Sequence, residues 1–330
     1  SDLKINNITD RTGGSGPVIA GVSTVSSTGA FTVSVGPTEM RGGRGRAVFA
    51  GGYSASPVNY TGTMDYVEIA TTGSATDFGD LSVKRYNVSG CASATRGVLL
   101  GGQGTPGTLF NTIDYVTISS GGGASDFGEL NTPGATGNKV QSGAVTSNNT
   151  RGLYMGGHTP DTTEGSGGRQ NIIQFVTIAS TGDASEFGDM TVYSQCSQAC
   201  SSPTRAVRGA GGGNPANQKV IDYVTIATVG DAVHFGELQT FFGLFPASLS
   251  STTRGIWAGG NNPSNINNIE YVTISTLGNA ADFGDLSLAR YGAAGSSNQT
   301  RGLVGGGGSP TKVNTIDYIT IASTGNATDY

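Results

Sequence analysis

The sequence predicts an all-β protein in which six copies of a four-stranded unit close into a ring, the arrangement known as a β-propeller. One observation is a block of the type Ile-Asp-Tyr-Val-Thr-Ile, which recurs six times at intervals of roughly 48 residues, the spacing of propeller blades. A second is the block Phe-Gly-(Asp/Glu)-(Leu/Met), which follows five of these copies. The third is composition, since glycine makes up 55 of 330 residues and no window repeats apolar residues at helical spacing.

Three of the four strands predicted in each unit carry a repeated block. The first carries Thr-Arg-Gly followed by apolar residues and a Gly-Gly pair, and its arginines are Arg96, Arg151, Arg205, Arg254 and Arg301, with Arg46 as a looser first copy. The second alternates β-branched and aromatic residues, and its acidic or amide positions are Asp65, Asp114, Gln174, Asp222, Glu270 and Asp317. The third is the Phe-Gly block, with Phe78, Phe127, Phe187, Phe235 and Phe283.

These repeated residues are expected to have structural roles. A single small sheet cannot bury both of its faces, so the recurring aromatic rings should fill the space between blades. The arginines have two interpretations. They either line the channel as an anion-binding ring, or they bind backbone carbonyls or acidic residues of the neighbouring blade, and we favour the second.

The position of the repeats predicts that the chain divides into an N-terminal arm and a propeller. Residues 1–40 are predicted to be a docking arm, and residues 41–330 the six blades. The apolar segment 30–35 is a candidate to complete the last blade, which would remove an exposed sheet edge.

Composition excludes several classes of protein. The net charge is −5 and no basic run exists, which argues against a nucleic-acid binder. No stretch approaches the roughly 20 apolar residues of a membrane span, and no signal peptide opens the chain, so synthesis in a cytoplasm is expected. The three cysteines are too few and odd in number for a disulfide framework; Cys196 and Cys200 either pair or, as we favour, are small apolar residues.

With strands and spacing assembled, the unit resembles the kelch repeat over about residues 42–330. Arg290-Tyr291-Gly292 resembles the kelch opening, Gly305-Gly306 its double glycine, and Asp317-Tyr318 its acid-x-Tyr strand. The sequence departs from kelch where Ala293 replaces a histidine and where Phe283 replaces the usual tryptophan.

The amino-acid sequence of the repeats is similar to that of repeat arrays in virion structural proteins of cyanophages and other marine tailed phages. This likeness is carried by residues 316–330, and residues 3–11 with 14–17 are similar to the start of many tail-fibre-like proteins. The resemblance implies a virion location, an arm that docks on other virion proteins, and homo-oligomeric assembly on the particle.

Catalytic motifs have structural explanations. Asp-Phe-Gly, at 77–79 and two later places, returns with the repeat and lacks the other kinase motifs. The glycine runs are not followed by Gly-Lys-(Ser/Thr) and mark strand ends. Only His158 and His234 are available, which argues against a metal centre or a serine triad. No enzyme and no cofactor are therefore expected.

Binding residues, if any, should lie on the variable loops between the double glycine and the acid-aromatic strand. The candidates are Tyr53, Tyr60, Phe110, His158, Asp161, Glu164 and Arg169. The sequence thus predicts a non-enzymatic virion component, of tail fibre or decoration type, that displays a propeller for adhesion or protein contact. The alternative is a lectin-like propeller that binds host surface glycans. A loop set with no ligand is the competing interpretation of these residues.

Overall fold

The structure is a computed structural model that describes residues 18–19, 23–25, 31–33, 45–55, 58–104, 107–132, 139–160, 167–214, 219–309 and 311–330. The chain divides into two compact units, Ser1–Glu39 and Met40–Tyr330. The first unit contains three short antiparallel strands in the order β1-β2-β3: β1 (Val18–Ile19), β2 (Ser23–Val25) and β3 (Phe31–Val33). Most of the predicted docking arm lies outside the described residues.

The second unit is a six-bladed β-propeller, as the repeat predicted, with an antiparallel sheet for each blade and no helix in the described residues. Blade 1 has β4 (Arg46–Ala55), β5 (Val58–Glu68) and β6 (Thr76–Asp80). Blade 2 has β7 (Ser89–Ala92), β8 (Arg96–Leu100), β9 (Thr112–Thr117) and β10 (Ser125–Glu129). Blade 3 has β11 (Ala144–Ser147), β12 (Arg151–His158), β13 (Arg169–Thr177) and β14 (Ser185–Gln195).

The remaining blades follow the same order from the innermost strand to the outermost. Blade 4 has β15 (Gln198–Ser201), β16 (Arg205–Gly209), β18 (Val220–Thr225) and β19 (Val233–Glu237), while the short β17 (Gly212–Asn214) pairs with β14 of blade 3. Blade 5 has β20 (Ala247–Ser250), β21 (Arg254–Asn261), β22 (Asn265–Thr273) and β23 (Ala281–Asp285). Blade 6 has β24 (Ala294–Ser297), β25 (Arg301–Gly305), β26 (Ile316–Thr320) and β27 (Thr328–Asp329).

The fourth strand of blade 6, for which residues 30–35 were a candidate, is β27 in the structure. Its register pairs Asp317 with Asp329 and Tyr318 with Thr328. The described part of the 30–35 segment pairs with β2 instead. The physical reason is local, because the turn after β26 lets the chain fold straight back against it and form the hairpin.

Apolar side chains form clusters that bridge neighbouring blades. One cluster joins Val98 and Ile113 of blade 2 to Val176 and Ile178 of blade 3, all of them buried. Equivalent clusters join the other blades, and Phe49 and Leu303 belong to the one between blades 1 and 6. The clusters of buried apolar residues therefore lie between adjacent sheets, so each blade depends on its neighbours for its core.

The double glycines allow the chain to pass close by on its way to the next blade. Gly259 and Gly260 have φ values of +65° and +126°, a region that favours glycine. A Cβ on Gly259 would stand 2.6 Å from the carbonyl oxygen of Arg290, and Gly260 donates its backbone N–H to that same oxygen. The pair thus marks a close approach between backbones as well as a turn.

A ring of left-handed residues precedes the innermost strands. Their φ values lie between +53° and +65°, and they are Asn87, Ser142, Cys196, Phe245 and Gly292. Cys196 donates its N–H to the carbonyl of Ser142, Phe245 to that of Cys196, and Gly292 to that of Phe245. The unusual backbone conformation turns each of these donors toward the preceding blade, which satisfies a group that would otherwise be unpaired.

Candidate functional site

The repeated arginines hold adjacent blades together. Each guanidinium stacks over the aromatic ring of its own blade, with its central carbon 4.3–4.7 Å from the ring centroid. Each then donates from Nη1 to a carbonyl oxygen of the next blade, as Arg96 does to Ile178 at 2.8 Å and Arg254 to Ile321 at 2.8 Å. The other members are Arg46, Arg151, Arg205 and Arg301. This geometry matches the second interpretation of the arginines, in which each one binds a backbone carbonyl of the neighbouring blade and does not line the channel.

The phenylalanines of the Phe-Gly blocks pack edge-on against the aromatic residue of the same blade. The ring centroids are 5.9–6.1 Å apart and the planes are nearly perpendicular, an arrangement that aromatic pairs prefer. The residues are Phe78, Phe127, Phe187, Phe235 and Phe283. In blade 6 Tyr330 takes this place against Tyr318, and its hydroxyl donates to the carbonyls of Glu68 and Thr71 in blade 1.

The repeated acids bind the chain that arrives from the preceding blade. Asp114 accepts hydrogen bonds from the hydroxyl and the backbone N–H of Ser82, at 2.7 and 3.2 Å. Thr191 binds Asp222 in the same way, and Ser287 binds Asp317. In blade 5, Glu270 accepts from the N–H groups of Gln239 and Thr240. In blade 3, Gln174 accepts from Asn131. We call this contact the acid cap.

Three fully buried arginines pair with these acids in alternate blades, and the sequence analysis did not assign them a role. Arg208 binds Asp222 through two hydrogen bonds of 3.0 and 2.8 Å, and Arg85 binds Asp114 at 3.0 Å. The pair Arg290 and Asp317 is 3.1 Å apart. Burial lowers the pKa of Arg85 and of Arg290, and the partner carboxylate opposes that shift. The signal for two of them was present in the recurring Arg-Tyr at 85–86 and 290–291.

The three other blades place an aromatic residue opposite the acid position. Phe49 pairs with Asp65, Tyr154 with Gln174, and Trp257 with Glu270. Tyr154 and Trp257 are fully buried, and each packs in a cluster with residues of the preceding blade. Blades 1, 3 and 5 therefore carry an aromatic at the place where blades 2, 4 and 6 accommodate a buried ion pair.

Blade 1 differs from the others at Asp65. This acid is half-buried, whereas its counterparts in the five other blades are buried. No residue that the structure describes donates a hydrogen bond to the Asp65 carboxylate, and its side chain lines a cavity. The acid cap is thus missing from the described residues around Asp65.

The cavity beside Asp65 has a volume of about 670 Å³, within the range of small-molecule sites. It is lined by residues of blades 1 and 6, by the segments that lead into blades 2 and 6, and by Phe245 before blade 5. Tyr53, Tyr86, Tyr291 and Lys312 are among the lining residues. The Lys312 ammonium lies 5.5 Å from the centroid of the Tyr291 ring and 6.0 Å from that of Tyr53. The wall of the cavity therefore combines aromatic rings with one carboxylate and one ammonium group.

Three tyrosines form a platform, and two of them, Tyr53 and Tyr86, line this cavity. Tyr60 stacks on Tyr86, with centroids 5.3 Å apart and planes 20° from parallel, and Tyr53 lies 5.4 Å from Tyr86 and 5.7 Å from Tyr60. The hydroxyl of Tyr86 donates to Oε1 of Gln103 at 2.7 Å. Desolvation, with a smaller contribution from Tyr60 and Tyr53, raises the pKa of Tyr86, so its hydroxyl stays protonated at neutral pH.

The remaining predicted loop residues do not join this site. Phe110 is half-buried beside Gly104 of blade 2, and His158 pairs with Arg169 in the hairpin of blade 3. Burial and the charge of Arg169 lower the pKa of His158. Asp161 and Glu164 lie outside the described residues. Of the seven candidates, the structure brings together Tyr53 and Tyr60. It adds Lys312, which lies in a variable loop but was not among the candidates, and Asp65, which was predicted to be structural. It also adds Tyr86 and Tyr291, which lie in the segments that lead into blades 2 and 6.

In the part of the chain that the structure describes, no group of three or more His, Cys, Asp or Glu side chains is placed to hold a metal ion. Within the same residues, no helix has the length and apolarity needed to cross a membrane. No family model and no curated protein matches this chain.

Proposed function

We propose that this protein is a non-enzymatic propeller that displays a binding face for adhesion, as a tail-fibre or decoration component of a phage virion. The observation that supports display is the ring itself, in which arginines, aromatics and acid caps repeat from blade to blade and hold the sheets rigidly. Such a scaffold presents its loops in fixed positions. The virion assignment rests on the resemblance of the repeats and of the N-terminal segment.

Electron microscopy of the particle tests this proposal. Antibody fragments against the propeller should decorate the tail or the capsid surface of intact particles. Residues 1–40 should be protected from protease on the particle and accessible in the purified chain. Uniform protease sensitivity of the arm on and off the particle, or no labelling of particles at all, would contradict the virion role.

A second function, recognition of host surface glycans, is supported by the tyrosine platform. Aromatic faces pack against the apolar face of a sugar ring, and carboxylate and ammonium groups bind its hydroxyls. A glycan array probed with the purified chain tests this function. Binding to a defined set of glycans is expected, and loss of that binding in Tyr53→Ala would locate it at the platform.

A further inference from the structure

We propose that Asp65 and Lys312 are the polar ligand-binding residues of the cavity between blades 1, 2 and 6, and that they recognise an uncharged hexose against the tyrosine platform. The proposal rests on the glycan-binding function and adds to it the residues and the class of sugar. It depends on three features of the cavity.

The first feature is the free carboxylate of Asp65. In blade 2 the equivalent Asp114 accepts two hydrogen bonds from Ser82 and one from Arg85, so its lone pairs are occupied. Asp65 has none of these partners among the described residues, yet it lines the cavity. A partly buried carboxylate without donors has a strong tendency to bind hydroxyl groups, because an acceptor that is withdrawn from water and left unpaired is destabilising. The repeat has thus left one of its six acid positions available for a ligand.

The second feature is the aromatic wall. The side chain of Tyr53 is exposed, and its ring contacts those of Tyr60 and Tyr86. The Tyr86 hydroxyl is held by Gln103, which fixes the ring in place. A fixed aromatic surface beside a hydroxyl-binding carboxylate matches the two-sided chemistry of a sugar, which has an apolar face and a polar rim.

The third feature is the charge balance, which selects the class of sugar. The lining residues of the cavity include one carboxylate, that of Asp65, and one ammonium, that of Lys312. Lys312 forms no ion pair among the described residues, and it lies over two tyrosine rings. An acidic sugar would be attracted by Lys312 and repelled by Asp65, whereas an uncharged sugar can accept from the ammonium and donate to the carboxylate. We therefore commit to a neutral hexose.

The experiment measures binding of methyl glycosides of glucose, galactose and mannose, with methyl glucuronide as the acidic probe, by saturation-transfer NMR and titration on the full chain. Asp65→Asn and Lys312→Met should each weaken binding of the neutral glycoside at least tenfold. The matched controls are Asp282→Asn and Lys139→Met, which replace exposed residues of the same types in other parts of the ring and should leave binding unchanged. Thermal unfolding of every variant establishes that it is folded.

Each outcome bears on a different part of the proposal. If a neutral glycoside binds but Asp65→Asn and Lys312→Met stay within twofold of wild type, the assignment of these residues is wrong while the glycan function stands. If the glucuronide binds more tightly, and its affinity falls with added salt, the neutral class is wrong. If no probe binds and the glycan array is also blank, the glycan function itself fails, and the inference fails with it.

Discussion

Nη1 of Arg301 lies 3.2 Å from the carbonyl oxygen of Ile69, a residue 232 positions earlier in the chain. The same nitrogen contacts the carbonyl oxygen of Ala70 at 3.2 Å. Equivalent bonds join all five of the remaining pairs of adjacent blades, so the arginines form a closed cycle of six. The contact between blades 6 and 1 differs in one respect, because these two blades are not consecutive in sequence.

Replacing Arg301 tests this closure. Arg301→Ala removes the hydrogen bonds to blade 1 and the stacking over Tyr318. Charged hydrogen bonds contribute about 1.5–3 kcal/mol and cation–π contacts about 0.5–1 kcal/mol, so the free energy of unfolding should fall by about 2–4 kcal/mol. Urea denaturation measures this loss. Hydrogen exchange should also accelerate in strands β4 and β26, at the two sides of the closure.

Arg205→Ala is the matched control for Arg301→Ala. It removes the same contacts between blades 4 and 5, which the chain still joins directly. A similar loss of stability is expected, but without faster exchange in β4 and β26. Equal acceleration of those strands in both variants would contradict a special role for Arg301 in closing the ring.

The buried pair of Arg208 and Asp222 gives a second prediction. Arg208→Met leaves a buried carboxylate without its countercharge, and such a change costs about 3–5 kcal/mol. The second substitution, Asp222→Asn, should recover a large part of the lost free energy of unfolding, because an amide oxygen can still accept a hydrogen bond from Thr191. Gln174 already does this in blade 3, where its Oε1 accepts from Asn131 at 2.7 Å. A double-mutant cycle in urea measures the coupling, and strictly additive effects would show that the pair is not coupled.

Two glycines with the same φ of +65° separate backbone strain from close packing. Gly292→Ala should cost about 1–2 kcal/mol, because nothing lies within 4 Å of the added methyl and the left-handed conformation alone is penalised. Gly259→Ala should cost about 2–5 kcal/mol, because the methyl would also stand 2.6 Å from the carbonyl oxygen of Arg290. Thermal and urea unfolding of both variants provide the comparison, and equal losses would mean that the Arg290 backbone yields to the methyl.

The lowered pKa of His158 predicts that the protein loses stability in mild acid. Burial, and then the charge of Arg169, lower its pKa in the folded protein below the ordinary value of 6.5. Between these two pKa values the unfolded chain binds a proton that the folded chain does not, so stability falls as the pH drops below about 6.5 and levels off below the folded pKa. His158→Gln should flatten this part of the stability–pH curve. An unchanged slope in the variant would assign the acid sensitivity to other groups.

The fold followed from the sequence because its signal was repeated. Each unit carries the arginine and aromatic blocks, five of the six carry the Phe-Gly block, and the spacing of these blocks predicted six blades. The roles of the arginines followed for the same reason, since a residue present once per blade is used once per interface. The position of Tyr330 in the repeat determines its role, because it lies where the other blades have a phenylalanine and makes the same edge-on contact.

The site was less accessible to sequence reasoning. Asp65 looks like its five counterparts, and the feature that sets it apart is a capping partner supplied by the chain before the blade, not by its own strand. Lys312 lies in a short loop of blade 6 and Tyr291 in the segment that leads into this blade. Both share a cavity with Tyr53 only because the ring brings blade 6 beside blade 1. This proximity depends on the closure of the ring between blades 6 and 1, and no local sequence pattern encodes it.

The alternation of buried residues makes the pair of blades the smallest exchangeable module of this protein. An odd-numbered blade offers a large aromatic to its even-numbered neighbour, and the even-numbered blade contains the ion pair, so copying one blade alone would set two like blades side by side. Gly209 of blade 4 illustrates the constraint, because a Cβ there would lie 3.0 Å from the indole of Trp257 in blade 5. Gene duplication or design by whole modules would therefore lead from this ring to four or eight blades more readily than to five or seven.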